Sequence, residues 1–110
     1  MLSLNLSATM ESNMSVTVFL ELQSKPESRD ELKATFKNIL PETRSFEGCL
    51  HVEVKENQED LCNLVLIEKW DSRQHHEKYF EWRAETGAIE ALGTMLAQPP
   101  AIRYFFDVDI

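Results

Sequence analysis

Apolar positions in this chain change period several times, and each change marks an element. From Val16 onward, Val16, Val18, Leu20 and Leu22 alternate with Thr17, Phe19, Glu21 and Gln23, the repeat of a strand with two distinct faces. Lys25-Pro26 closes that strand. Ser28 or Asp30 then offers an N-cap to a helix whose Leu32, Phe36, Ile39 and Leu40 share one stripe. Pro41 is expected to kink or end this helix, because its ring clashes with the preceding turn. Gly48 reopens an extended segment in which Leu50, Val52 and Val54 alternate with Cys49, His51, Glu53 and Lys55. The polar run from Glu56 to Asp60 turns the chain into a third strand, Cys62 to Trp70. Asp71-Ser72 supplies cap oxygens for a second helix, which Thr86-Gly87 breaks before Ile89, Leu92 and Leu96 resume an apolar stripe. Pro99-Pro100 forbids more helix, and Ile102, Tyr104, Phe106 and Val108 then alternate with Arg103, Phe105, Asp107 and Asp109 as a fourth strand.

The order β-α-β-β-α-β predicts a ferredoxin-like α+β sandwich, because right-handed crossovers put both helices on one face of the sheet. By alternation the bare face is expected to carry Phe19, Leu66, Trp70 and Phe105, too much apolar area to leave in water. A second copy packed sheet to sheet solves this, which predicts a homodimer in the form of a dimeric α+β barrel. Residues 1–14 show no period and read as a loose extension, with Met14 an alternative start, ahead of one domain spanning 15–110.

Composition narrows the class of partner. A net charge of -8, from 19 acidic and 11 basic residues, repels phosphate backbones and anionic lipid surfaces, so nucleic acid and membrane are excluded as partners. No run approaches the roughly 18 apolar residues that span a bilayer, and the chain reads as cytoplasmic. Cys49 and Cys62 fall too far apart along the hairpin ladder to bridge, and neither has metal-ligand spacing, so both read as reduced structural thiols with no metal site.

Four stretches carry a resemblance. The Phe46-Glu47-Gly48-Cys49-Leu50 entry to strand two, the Leu66-Ile67-Glu68-Lys69-Trp70-Asp71-Ser72-Arg73 junction, the segment from Tyr79 to Gly87, and the ending from Leu96 to Phe105 together resemble the antibiotic biosynthesis monooxygenase superfamily of small dimeric α+β barrels. Such proteins oxygenate quinols and polyketide aromatics without metal or flavin, degrade haem, or isomerise small phosphorylated signals, so the resemblance leaves the reaction open. The haem-degrading members use an Asn, a Trp and an axial His at positions that fall here on Phe19, Tyr79 and about Ile89. None is the required type, and an isoleucine cannot ligate iron.

Cofactor-independent oxygenation, which the resemblance implies, needs a base, an anion stabiliser and aromatic walls around a small aromatic, quinol or polyketide-like substrate that reduces molecular oxygen itself. His76 and His51 are the natural bases, since imidazole titrates near neutrality. Glu68 shares the face of Trp70 and orients the base or pairs with an arginine. Arg83 and Arg103 are candidates to hold an oxyanion, with Trp70, Tyr79 and Trp82, and Phe19 on the first strand, as substrate-binding aromatics. Each has an ordinary reading beside this one. His75 and His76 lie in the first turn of a charged helix, where histidines are usually solvated, and His51 is equally suited to a dimer contact. Aromatics at helical spacing usually belong to the core. The same architecture fits a non-catalytic ligand-binding or stress-related dimer, or an isomerase of a small enolisable carbonyl compound.

Overall fold

The computed structural model describes residues 15–110, and the extension expected over 1–14 lies outside them. Strand β1 (Val16–Gln23) leads through a 3₁₀ turn at Pro26–Ser28 into helix α1 (Arg29–Ser45). Strands β2 (Cys49–Asn57) and β3 (Asp60–Trp70) form the hairpin. Helices α2 (Arg73–Glu85) and α3 (Ala88–Gly93) and strand β4 (Ala101–Phe105) complete the order. The sheet runs β2-β3-β1-β4 with every pairing antiparallel, the ferredoxin-like arrangement that the apolar pattern predicts.

The core lies between the helices and one sheet face. Leu20, Leu22, Leu64 and Leu66 meet Leu32, Phe36 and Leu40 of α1 and Leu92 of α3, while Val16, Val18 and Trp70 meet Tyr79 of α2. Pairing of Leu20 with Leu66 and of Val16 with Trp70 therefore sends Leu66 and Trp70 to the helix-covered side, not to the bare face. The bare face carries Phe19 beside Ile67 instead, with the Phe19 and Phe105 rings edge to face at 5.1 Å. Strand β3 is apolar on both sides, so its own pattern has no phase. Register with β1 decides it.

Two departures have local causes. Pro41 sits inside α1 rather than ending it. Arg83 of α2 donates to the Ile39 carbonyl at 3.1 Å and to Thr43 Oγ1 at 3.1 Å, which pins the turn around Pro41 from outside. In β2, Cys49 pairs with Trp70 and His51 with Lys69, so Leu50 is the extra residue of a bulge. Cys49 consequently packs against the core while His51 is exposed, and the two do not share a face.

Caps follow the sequence more closely. Ser72 Oγ accepts from the His75 backbone N–H at 3.2 Å, and Gly87, at φ 84°, separates α2 from α3. Gly48 has φ 90°, and a Cβ there would lie 2.5 Å from the His75 ring. Gly48→Ala therefore meets backbone strain and a ring that Ser72 Oγ holds at its Nδ1, and is expected to cost about 2 kcal/mol in urea unfolding. A cost below a few tenths would show that the entry to β2 yields freely.

Candidate functional site

A cavity of about 220 Å³ opens between the sheet and the helices. Leu20 and Leu66 line it from the sheet, Phe36, Ile39 and Leu40 from α1, and Ile89 and Leu92 from α3. Its polar groups are Glu68, His76, Tyr79 and Arg83 with the hydroxyls of Thr35 and Thr43. Four residues picked from sequence thus converge. Glu68 arrives because β3 turns alternate residues inward, and His76, Tyr79 and Arg83 because spacings of three and four keep them on one face of α2.

Glu68 is only 3% exposed, and its Oε1 accepts from Trp70 Nε1 at 2.8 Å. Burial pushes its carboxyl above the usual carboxylate range, partly offset by the indole N–H. Its neighbours are a tryptophan and a histidine rather than the arginine anticipated. His76, 2% exposed, departs from the solvated reading of a first-turn histidine. Its Nδ1 lies 2.8 Å from Tyr104 Oη and its Nε2 lies 3.8 Å from Glu68 Oε1. Burial lowers the imidazole to about 4, so at neutral pH the ring is uncharged and the contact with Glu68 is not an ion pair.

That shift makes a stability prediction. The unfolded imidazole takes up a proton near its ordinary value of 6.5, whereas the folded one resists until about 4, so stability falls as pH drops through that window, by at most about 3 kcal/mol. The raised Glu68 carboxyl works in the opposite sense, since the folded state favours its protonated form. Urea midpoints at pH 7 and pH 4 should therefore fall more for the parent than for His76→Gln. Equal falls would refute the shift.

Arg83 has every nitrogen engaged. Nε donates to Tyr79 Oη at 2.8 Å, Nη1 to Glu42 at 3.0 Å, and Nη2 to the Ile39 carbonyl and Thr43. Thr43 Oγ1 and Tyr79 Oη are hydrogen-bonded to each other as well. The guanidinium thus locks α1 to α2, with four of its five N–H donors engaged.

The other sequence candidates stand away from the cavity wall. Trp70 is fully buried behind Glu68, and Trp82 packs against Phe46 at 5.3 Å under the Arg83 guanidinium. His51 is exposed on β2, 2.7 Å from Glu53. Phe19 lies on the bare face, as does Arg103, whose Nη2 is 3.7 Å from Glu21. Sequence reading missed Thr43 and Tyr104. The Leu32, Phe36 and Leu40 stripe continues to Thr43, and Tyr104 shares the inward face of Ile102 two residues before it, so both were open to discovery by period. Among the described residues no group of three His, Cys, Asp or Glu side chains is placed to hold a metal. No helix among them is long and apolar enough to cross a membrane.

Fold and cavity together define a ferredoxin-like α+β protein with an oily chamber that is polar at one place. The family model for antibiotic biosynthesis monooxygenases matches residues 15–87, and the chain belongs to that family. Solved structures agree on the fold. A conserved protein from Methanosarcina mazei Go1 superposes with a TM-score of 0.78 at 21% identity, over 91% of this chain and 99% of that one. An antibiotic biosynthesis monooxygenase gives 0.77 at 20% identity, over 86% and 99%. Rv0793 from Mycobacterium tuberculosis gives 0.77 at 23% identity, over 87% and 97%. No curated protein matches the chain at a comparable level.

Proposed function

We propose that this protein is a cofactor-independent monooxygenase acting on a small electron-rich aromatic, a phenol, quinol or polyketide-like enol, with molecular oxygen as co-substrate. The observation that supports the reading is the pairing of two sealed titratable groups, Glu68 and His76, at the wall of a mostly apolar cavity. In this reading Glu68, made more basic by burial, removes the acidic proton of the substrate. The resulting carbanion adds oxygen at carbon to give a hydroperoxide, and loss of water leaves a carbonyl. The reacting carbon, a methylene in the keto tautomer of the phenol, quinol or enol, supplies all four electrons as it becomes the carbonyl, so the balance needs no other reductant. The lining of Leu20, Phe36, Leu66 and Leu92 excludes water that would otherwise solvate the anion.

The test is oxygen uptake by the purified protein with a panel of hydroquinones, naphthols and anthrones. Uptake above the buffer control with product gaining one oxygen atom supports the proposal, and uptake equal to the control for every member refutes it. Turnover that persists without oxygen would instead indicate isomerisation.

The proposal includes a homodimer closed over the bare sheet face, and a reducing cytoplasmic setting in keeping with two unpaired thiols. Phe19, Ile67 and Phe105 lie on that face, flanked by Glu21 and Arg103. Phe19→Asp would bury a charge at the centre of such a contact, so sedimentation should change from a dimer to a 12.8 kDa monomer. A parent that already sediments as the monomer at micromolar concentration would end the dimer proposal.

A further inference from the structure

We infer that Tyr104 is a positioning residue, whose phenol donates to His76 Nδ1 and so fixes the imidazole proton on Nε2, making His76 a hydrogen-bond donor to the substrate oxygen rather than a base. Tyr104 lies beyond the stretch that the family model matches, on β4, and does not line the cavity. Its Oη is 2.8 Å from Nδ1, with the two rings edge to face at 5.4 Å. An imidazole sp² nitrogen accepts better than a phenolic oxygen, and a phenol is the better donor of the two. Across the ring, the carboxyl of Glu68 lies 3.8 Å from Nε2, where an N–H is favoured over a second lone pair. Burial keeps the ring neutral at pH 7, which is the only form that has a choice of tautomer.

The phenol is itself held in place. Tyr104 pairs with Val18 in the sheet, and the Arg73 guanidinium covers its outer ring face at 4.2 Å. Trp70 does for Glu68 what Tyr104 does for His76, donating from behind so that the carboxyl keeps its orientation. The result is an acceptor and a donor side by side on the cavity wall. One substrate hydroxyl fits between them, giving its proton to Glu68 and retaining the Nε2–H bond as an anion. This also supplies an oxyanion donor where four of the five Arg83 N–H groups are already committed to protein acceptors. The catalytic consequence rests on the monooxygenase reading, while the tautomer does not.

The test uses the full chain labelled with ¹⁵N at histidine, observed by two-bond proton–nitrogen correlation at pH 7. His76 is assigned by the signals missing from His76→Gln. The parent should show the Nε2–H pattern, and Tyr104→Phe, nearly isosteric, should lower the ratio of Nε2–H to Nδ1–H by about tenfold. An Nδ1–H pattern in the parent, or a ratio unchanged by Tyr104→Phe, overturns the inference. With a substrate found in the oxygen-uptake panel, Tyr104→Phe should lower kcat by about tenfold and leave KM within twofold. An unchanged kcat despite the lost tautomer would overturn the catalytic consequence. If the panel gives no turnover at all, the monooxygenase reading fails, and the spectra still judge the tautomer.

Discussion

Glu68→Gln is expected to fold as the parent does and to consume oxygen about 10² to 10³ times more slowly with whichever substrate the panel identifies. The amide keeps the shape of the side chain and can still accept from Trp70 Nε1, so the cavity wall is preserved. What it cannot do is take a proton. Because burial already opposes the charged carboxylate, the same substitution should leave stability unchanged or raised. Lower turnover combined with an equal or higher melting temperature is a pattern that a packing defect would not give. Activity within threefold of the parent would show that another group removes the proton.

The second large effect concerns Arg83. Arg83→Met removes four donated hydrogen bonds at once, three of them to groups on α1. The Glu42 contact contributes little, since that carboxylate is largely in water. Loss of the buried bonds to Tyr79, Thr43 and the Ile39 carbonyl is expected to cost about 3 kcal/mol. By calorimetry that should appear as a fall of about 15 °C in Tm. Arg83→Lys should recover only a small part, because an ammonium cannot reach all of these acceptors with one planar fork. A loss under 1 kcal/mol would mean that the two helices are joined by apolar packing alone.

Much of this fold is legible in period and punctuation. Alternation at Val16 to Leu22, the break at Thr86-Gly87 and the cap at Ser72 reappear where the chain places them. Missing from the sequence was the phase of β3, because Leu64 and Leu66 are no more apolar than Val65 and Ile67. Trp70 and Leu66 were therefore assigned to the wrong side, although Glu68 and Trp70 do share a face. Leu50 defeated the placement of Cys49 beside His51 for a related reason, since a bulge is a register event set by the partner strand. For His76 the ordinary solvated reading fails, although its sequence neighbours His75, Glu77 and Lys78 are polar. Its spacing to Tyr79 and Arg83 carried the better signal. Pro41 shows the limit of local rules, as its helix runs on past it into a turn tied to a side chain 42 positions further on.

Sheet order also dictates a timetable. Only the β2–β3 pairing is local, whereas β1 must find β3 and then β4 across most of the chain, and the entropy of closing such long loops has to be met before those contacts stabilise anything. Tyr104 rides on the strand whose pairing closes the longest loop, and so is expected to dock last. During refolding, the hairpin and helices can therefore be native-like while His76 still lacks its phenol partner. Recovery of the His76 signature should trail recovery of helical ellipticity, and simultaneous recovery would mean that β4 joins with the rest.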